Sequence, residues 1–272
     1  MNYLQFDFEP HTKEESEKLI ALLSELGFDG FVEEGMELVA FIPESIFDQG
    51  EFEKVLEKFA IMAYSQTTIE NINWNKKWEE EYEPVLVGNF VGVRADFHKP
   101  LRNVKYEIVI TPKMSFGTGH HATTSMVMQL MKDLDFKNKN VLDFGTGTGV
   151  LAILAEKLGA VAILAIDNDE WSITNALENC LQNGCGNITV QGADAIPADT
   201  GEFDVILANI TLNIILDNLS SINQACRQGG KVLLSGFLKS DENAITTALA
   251  GAGFTKKLVL SQKEWIAVLC EK

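Results

Sequence analysis

The 272-residue sequence predicts an α/β protein in which a doubly wound, mostly parallel sheet follows a small α+β domain. From Asn140 onward, short apolar runs alternate with segments of helical periodicity, as expected when helices cover both faces of a parallel sheet. The last two runs have no helix between them, which indicates an antiparallel hairpin. Residues 1–70 hold 16 acids and 4 bases, whereas the other 202 residues hold 23 and 18, so the first quarter is a distinct acidic unit.

The acidic unit begins with a segment of alternating polarity, Tyr3–Phe8, which predicts a strand. Lys13–Leu26 has leucines at helical spacing, and Gly27 ends this predicted helix. The remaining predicted elements are a β-hairpin, a helix and a final strand: Phe31–Glu33, Leu38–Ile42, Phe52–Ala63 and Thr67–Ile72. The resulting order β-α-β-β-α-β is that of a ferredoxin-like domain.

A short charged segment joins this unit to the rest of the chain. Within it, Trp74, Trp78 and Tyr82 recur every four residues and share one helical face. We expect a linker helix that either docks this face on a core or acts as a hinge. The predicted organisation is a ferredoxin-like domain, a linker and an α/β domain over residues 1–72, 73–84 and 85–272.

The α/β domain contains the regular alternation. Two strand-like runs, Phe90–Asp96 and Lys105–Ile110, precede it. The seven strands predicted for the main sheet are Val141–Phe144, Val161–Ile166, Ile188–Gln191, Asp204–Ala208, Lys231–Ser235, Lys257–Leu260 and Trp265–Leu269. The helices predicted among them are Val150–Leu158, Trp171–Gln182, Leu212–Cys226 and Asp241–Ala250. Ligands of such folds bind at the carboxyl ends of the parallel strands.

The composition narrows the class of protein and of partner. With 22 Lys and Arg against 39 Asp and Glu, the net charge of −17 argues against binding driven by phosphate neutralisation and favours a basic or neutral partner. No apolar run of 18 residues occurs, and the first residues lack the basic-then-apolar order of a signal peptide, so we expect neither membrane insertion nor export. The four cysteines form no CxxC pair, and we expect reduced thiols in the cytoplasm: Cys180, Cys185, Cys226 and Cys270.

A glycine-rich segment, DFGTGTG at residues 143–149, directly follows the first strand of the alternation and opens its first helix. Glycines there allow a tight turn and a close approach of ligand to backbone. A dinucleotide fold has the spacing GxGxxG, whereas the spacing here is GxGxG, with Asp143 two positions before Gly145. An acid at that position would repel a phosphate but suits an ammonium group. A generic glycine-rich turn stays open as an alternative.

Two further acids follow neighbouring strands. Asp167 ends the second strand about 20 residues further on, where a carboxylate can accept both hydroxyls of a ribose. It could instead cap the next helix, although Asp169 fits that role better. Asp194 follows the third strand and is placed to meet an adenine amino group, unless it is a solvated loop acid. Ribose, adenine and an amino acid without phosphate are the parts of S-adenosylmethionine.

With the strand order and the acid after the second strand, the DxGxGxG segment resembles the class I S-adenosylmethionine-dependent methyltransferases. Residues 115–124, SFGTGHHATT, closely resemble the FGTGxHxTT segment of the ribosomal protein L11 methyltransferase (PrmA) family. Residues 73–78, NWNKKW, resemble that family's W-N-x-x-W linker, and Asn209 in LANI matches its ANI. The resemblance covers the linker and nearly all of residues 73–272 with these motifs, and over residues 1–70 it rests on architecture only. The resemblance implies a seven-stranded Rossmann-like methyltransferase sheet with a small N-terminal ferredoxin-like domain that presents the substrate protein.

By this resemblance, cofactor contacts fall on Thr124, Gly145, Asp167 and Asn209, and Asn209 also stands at the methyl-transfer site as the candidate catalytic residue. Further cofactor-binding residues are expected in the two glycine-rich segments and after the third strand: Phe116, Gly117, Thr118, Gly119, Gly147 and Asp194. The chain departs from the family with TPK at residues 111–113 in place of Asp-Pro-Gly, and with Thr211 where an aliphatic residue follows ANI. Both departures lie near the expected methyl-transfer site. They therefore affect what can be predicted about the substrate more than what can be predicted about cofactor binding.

The resemblance implies transfer of methyl groups from S-adenosyl-L-methionine to amino groups of ribosomal protein L11, on lysine side chains, the N-terminal amine or both. We also expect a cytoplasmic monomer without a nucleic-acid or membrane partner. His120 and His121 have no other His or Cys at ligand spacing, so we expect no metal, and a role as general base stays open. The alternatives are a small-molecule methyltransferase, a nicotinamide oxidoreductase and a non-catalytic S-adenosylmethionine-binding module.

Overall fold

The computed structural model describes residues 2–10, 12–35, 37–58, 63–69, 82–113, 116–198 and 200–272. Contacts divide the chain into two units, Met1–Glu81 and Tyr82–Lys272. The linker helix predicted over residues 73–84 lies outside the described residues as far as residue 81, with Trp74 and Trp78. Residues 59–62 of the second predicted helix and residues 70–72 of the following strand also lie outside them.

The described residues of the first unit form a four-stranded antiparallel sheet and two helices. Its elements are β1 (Tyr3–Phe8), α1 (Lys13–Glu25), β2 (Gly30–Glu34), β3 (Glu37–Pro43), α2 (Gln49–Lys58) and β4 (Tyr64–Ile69). The strand order is β2-β3-β1-β4. Thr12 begins α1 because its side chain accepts a hydrogen bond from the Glu15 backbone N–H.

Alternation along β1 places one face of this sheet in a core. Leu4, Phe6 and Phe8 are buried, and the ring of Phe6 lies 4.6 Å from that of Phe52 on α2. Aromatic burial of this kind supplies much of the apolar area that a unit of this size can remove from water. The assignment of the unit to the ferredoxin-like class stays a prediction.

The second unit opens with a small three-stranded sheet. Its strands are β5 (Val85–Val87), β6 (Val91–Ala95) and β7 (Tyr106–Ile110), with β5 antiparallel and β7 parallel to β6. The sequence predicts the second and third of these strands, but not β5, which is too short to show a periodicity. Helix α3 (Ala122–Met131) follows and leads into the main sheet.

The main sheet has seven strands and four helices. The strands are β8 (Asn140–Phe144), β9 (Ala162–Asp167), β10 (Ile188–Gly192), β11 (Phe203–Asn209), β12 (Cys226–Leu238), β13 (Thr255–Gln262) and β14 (Trp265–Glu271). The helices are α4 (Val150–Lys157), α5 (Glu170–Gln182), α6 (Leu212–Ala225) and α7 (Glu242–Gly251). The order is β10-β9-β8-β11-β12-β14-β13, and β14 runs antiparallel to both neighbours. The predicted doubly wound sheet with a final hairpin is confirmed.

The chain reverses its direction of winding at β8. From β8 it proceeds through β9 to β10 on one side and then returns to β11 on the other. Both faces are covered, since Val205 and Leu207 of β11 belong to one core whereas Ile206 and Ala208 belong to the other. This switch point opens a crevice at the carboxyl ends of β8 and β11, which is where ligands of such folds bind.

Two further observations concern the class of protein. None of the helices in the described parts of the chain is long and apolar enough to cross a membrane. All four cysteines carry free thiols, and burial raises the pKa of Cys185 and of Cys226 to about 11. These thiols therefore stay protonated, and as poor nucleophiles they are unsuited to catalysis.

Candidate active site

A cavity of about 570 Å³ lies at the switch point of the main sheet. The residues at or just beyond the carboxyl ends of five parallel strands line it: Phe144 and Gly145 on and after β8, Asp167 on β9, Ala193 and Asp194 after β10, Asn209 and Ile210 on and after β11, and Gly236 on β12. The topology therefore brings together side chains that are far apart in the sequence.

Six of the ten residues predicted to bind the cofactor line this cavity: Phe116, Gly145, Gly147, Asp167, Asp194 and Asn209. The other four, Thr124, Gly117, Thr118 and Gly119, are not among the lining residues. Their contacts with neighbouring residues are nevertheless specific.

The glycine-rich loop after β8 is pressed closely against its surroundings. Gly145 and Gly147 have φ values of +77° and +55°, in the left-handed region that favours glycine. A Cβ on Gly145 would overlap the side chain of Ile210, and one on Gly147 would overlap the carbonyl oxygen of Phe116. Because these two residues are glycines, the loop can pack this closely and form the floor of the cavity.

The carboxylate of Asp167 links this loop to the start of α5. One oxygen accepts a hydrogen bond from the Gly147 N–H at 2.9 Å, and the other accepts one from the Asp169 N–H at 3.1 Å. Asp169 itself caps α5 by accepting from the Ser172 N–H at 2.9 Å. Of the two roles considered for Asp167, the helix cap is thus taken by Asp169, and Asp167 is left at the cavity wall.

Asp143 lies beneath the loop instead of facing the cavity. It is fully buried, and one oxygen accepts hydrogen bonds from the Thr146 hydroxyl at 2.7 Å and the Ala152 N–H at 3.2 Å. Burial raises the pKa of this carboxyl to about 6. The folded protein therefore holds the proton up to about pH 6, whereas the unfolded chain releases it near 3.8, so this group lowers stability as pH rises through that window.

Asn209 at the end of β11 presents an amide to the cavity. Its nitrogen donates a hydrogen bond to the hydroxyl of Thr124 at 3.0 Å, whereas its oxygen has no hydrogen-bond partner within the described residues. Thr124 is fully buried in the first turn of α3. Thr124 therefore fixes the orientation of the amide, whose oxygen is left buried and unpaired within the described residues.

The loop before α3 is held against the glycine-rich loop by Thr148. The Thr148 N–H donates to the carbonyl of Phe116 at 3.0 Å, and its hydroxyl donates to the carbonyl of Gly117 at 2.7 Å. These bonds keep the half-exposed ring of Phe116 at the cavity. Gly117 thus supports the cavity wall through its backbone.

Thr118 and Gly119 face a different part of the second unit. The Thr118 hydroxyl lies 3.1 Å from Nδ1 of His120, and His120 donates from Nε2 to the carbonyl of Glu83 at 2.8 Å. Gly119 packs close to Val85 of β5. These contacts connect the loop before α3 with the chain that enters β5.

Two aromatic residues in the cavity wall were not predicted from the sequence as ligand contacts. His121 caps α3, with Nδ1 accepting from the Thr123 N–H at 3.4 Å and lying 2.7 Å from the Thr123 hydroxyl. Burial lowers the pKa of His121, so the ring is uncharged at neutral pH. Trp265, the first residue of β14, packs edge-on against it with ring centroids 4.6 Å apart. Only the position of Trp265 at a strand end could have indicated this role.

The chemistry of the cavity defines the class of protein. No Lys or Arg lies among the described residues that line it, so a phosphate would find acids such as Asp167 and Asp194 and no compensating cation. No group of three His, Cys, Asp or Glu side chains within the described residues is arranged to hold a metal ion. This acidic cavity, on a doubly wound sheet whose last strand β14 is antiparallel, is that of an S-adenosylmethionine-dependent methyltransferase.

Comparison with known proteins identifies the family within that class. Residues 8–272 match the family model described as ribosomal protein L11 methyltransferase (PrmA). Proteins of that name from Porphyromonas gingivalis and Bacteroides fragilis are 38% and 35% identical over 281 and 276 residues. These alignments cover 98% of this chain in both cases, and 97% and 99% of the two relatives. The chain belongs to the ribosomal protein L11 methyltransferase (PrmA) family, and the resemblance inferred from the motifs is confirmed.

Solved structures agree with this assignment. The crystal structure of a ribosomal protein L11 methylase from Lactobacillus delbrueckii subsp. bulgaricus is similar with a TM-score of 0.65 and 31% identity, covering 70% of this chain and 98% of that one. A methyltransferase from Pyrococcus furiosus shares the fold, with a TM-score of 0.51 and 20% identity over 60% of this chain and 88% of the other. S-adenosyl-L-methionine is accordingly the cofactor of this protein.

Proposed function

We propose that this protein transfers methyl groups from S-adenosyl-L-methionine to amino groups of ribosomal protein L11. The single observation that carries the proposal is the amide of Asn209, whose oxygen has no partner within the described residues although the side chain lines the cavity. A buried acceptor left unpaired costs free energy, so its retention indicates a ligand that donates a hydrogen bond. An amino group is such a donor.

The residues of the cavity fit the cofactor. The Asp167 carboxylate can accept the ribose hydroxyls while keeping its bond to the Gly147 N–H, because each carboxylate oxygen has more than one acceptor site. Asp194 lines the cavity two residues beyond β10, and it is proposed to accept a hydrogen bond from the adenine amino group. Gly145 and Gly147 line the cavity, and because they carry no Cβ the loop can pack against Ile210 and the Phe116 carbonyl; we propose that the amino-acid portion lies along this loop. When bound, the cofactor supplies a methyl group on a positively charged sulfur.

The protein contributes position and orientation to the reaction. A lysine amine has a pKa of about 10.4 in water, and it must lose its proton before its nitrogen lone pair can attack. Asn209 would accept one remaining N–H of the neutral amine and thereby direct the lone pair, with the amide held by Thr124. His121 is unsuited to act as the base through Nδ1, because that atom serves the cap of α3. We propose that the amine releases this proton to solvent.

The acidic first unit supports a basic protein as the substrate. We propose that residues 1–72, as a ferredoxin-like domain, bind the ribosomal protein through their net charge and that residues 73–84 act as the connecting hinge. Between residues 1 and 70 there are 16 acids and only 4 bases. We further propose that the protein acts in the cytoplasm, as a monomer, without direct contact to nucleic acid.

Intact-mass measurement of purified ribosomal protein L11, after incubation with this protein and S-adenosylmethionine, tests the proposal. We expect increments of about 14 Da per methyl group, and fragmentation then locates the modified amino groups. Asn209→Ala is the matched negative control, and the initial rate should fall as salt is raised if the acidic unit attracts the substrate. An unchanged mass, with cofactor binding shown separately by calorimetry, would contradict the assignment of the substrate and favour small amines or other basic proteins.

A further inference from the structure

Three aromatic side chains stand together in the cavity, and the proposed contacts to ribose, adenine and amine leave them without a role. Phe116, His121 and Trp265 all line it, and we refer to them as the aromatic wall. The ring centroids of His121 and Trp265 are 4.6 Å apart with the planes at 73°, and those of Phe116 and His121 are 5.3 Å apart at 59°. The three residues come from separate places: the loop before α3, the cap of α3 and the first position of β14.

The aromatic wall lies beside Asn209. His121 and Thr124 are three residues apart at the start of α3, on the same side of its first turn, and Thr124 holds the amide of Asn209. Trp265 is on β14, whereas Asp194 follows β10 at the opposite edge of the sheet. The wall therefore stands at the end of the cavity where Asn209 would receive the amine, away from the end assigned to adenine.

The wall consists of aromatic rings without formal charge. His121 is uncharged at neutral pH because burial lowers its pKa, and its Nδ1 is engaged with Thr123. Aromatic faces attract cations, most strongly when water is excluded, and they suit cations that have no N–H to donate. A sulfonium is such a cation, since its three substituents are all carbon.

We infer that the aromatic wall recognises the positive charge of the sulfonium and thereby distinguishes the methyl donor from the neutral thioether that remains after transfer. This inference rests on the proposed function. In the reaction a nitrogen–carbon bond forms, the sulfur–carbon bond breaks with its electron pair left on sulfur, and the positive charge passes to nitrogen. The wall then loses its attraction for the spent cofactor, which assists its exchange.

Calorimetric titration with S-adenosylmethionine and with S-adenosylhomocysteine tests this inference, because the two ligands differ by one methyl group and one charge. The quantity of interest is the ratio of their dissociation constants in each variant, in which losses from altered packing cancel. We expect Trp265→Leu to weaken binding of the charged ligand by about 3- to 30-fold more than that of the neutral one. Trp265→Phe, which keeps a ring, should hold the ratio within about twofold of the wild type.

Phe116→Leu provides a second variant with little risk to folding, because the Phe116 side chain is 53% exposed. It should shift the same ratio in the same direction by about two- to fivefold. Equal losses of affinity for both ligands in Trp265→Leu and in Phe116→Leu would overturn the inference and leave the rings a packing role. A ratio that shifts in Asp217→Asn and in neither ring variant would also overturn it, by assigning the recognition to a carboxylate of the cavity.

The wild-type measurements separate failure of this inference from failure of the proposed function. If the wild type binds S-adenosylmethionine and the ratio responds to the ring variants, the inference stands even when the mass of ribosomal protein L11 is unchanged. If the wild type methylates L11 and the ratio of dissociation constants is the same in the ring variants, the proposed function stands and the inference is wrong. Binding of neither ligand to the wild type would overturn both.

Discussion

Replacing Gly147 by alanine perturbs the point where the two glycine-containing loops meet, and Gly184→Ala is its matched control. Both glycines have positive φ, +55° and +67°, so each alanine costs about 1–2 kcal/mol of backbone strain. A Cβ on Gly184 meets nothing within 4 Å, whereas one on Gly147 overlaps the carbonyl oxygen of Phe116. That carbonyl accepts from the Thr148 N–H, and the adjacent carbonyl of Gly117 accepts from the Thr148 hydroxyl.

The alanine at position 147 must therefore push the loop before α3 outward. Loss of the two Thr148 bonds, at about 0.5–1.5 kcal/mol each, should make Gly147→Ala less stable than Gly184→Ala by about 1–3 kcal/mol. Thermal unfolding should accordingly show a midpoint lower by several degrees, at about 2–4 °C per kcal/mol for a domain of this size. Calorimetry should show cofactor affinity reduced at least about tenfold in Gly147→Ala and unchanged in Gly184→Ala, since each 1.4 kcal/mol is tenfold in affinity. Equal behaviour of the two variants in both assays would refute this account of the loop contact.

Three further predictions concern side chains in or beneath the cavity. Asp167→Asn should weaken cofactor binding by about 10- to 150-fold in calorimetry, the value of one charged hydrogen bond, whereas Asp169→Asn should weaken only the cap of α5. Thr124→Val should lower kcat more than cofactor affinity, because the buried amide of Asn209 loses its acceptor, and Thr124→Ser should restore it; a loss confined to cofactor affinity would indicate direct contact instead. Wild-type stability should fall by about 2 kcal/mol relative to Asp143→Asn between pH 4 and pH 6 in denaturant titrations, so parallel pH curves would contradict the raised pKa.

The strands of the main sheet were predictable because their apolar runs are local and bounded by polar residues. β8 differs from its prediction, Val141–Phe144, by one residue at its start. β12 was harder, since the prediction covered Lys231–Ser235 whereas the strand spans Cys226–Leu238. Its additional residues include three glycines and an arginine, which show no strand pattern, and backbone hydrogen bonds to Lys272 hold Gly229 and Gly230 in place.

The position of a site residue was predictable where the residue lies at the end of a predicted strand. It was less predictable where packing between distant segments determines the position. Asp167 ends β9 and reaches the cavity as the sequence predicts. Thr124 carries the expected motif, yet motif matching does not give depth of burial, and the structure has it behind Asn209. The pairing of His121 with Trp265 joins segments that are 144 positions apart, and the sequence contains no local pattern that would indicate it.

The order of strands also determines when the main sheet can be completed during translation. β14 is last in the chain but lies between β12 and β13, so during translation the sheet cannot close until this strand has emerged. A nascent chain that has completed β12 presents that strand as an open edge, where another chain could pair with it. Trp265 arrives with β14, so the aromatic wall acquires its third ring in the same step that completes the sheet. Completion of the main sheet and completion of the aromatic wall are therefore a single step in the folding of each molecule.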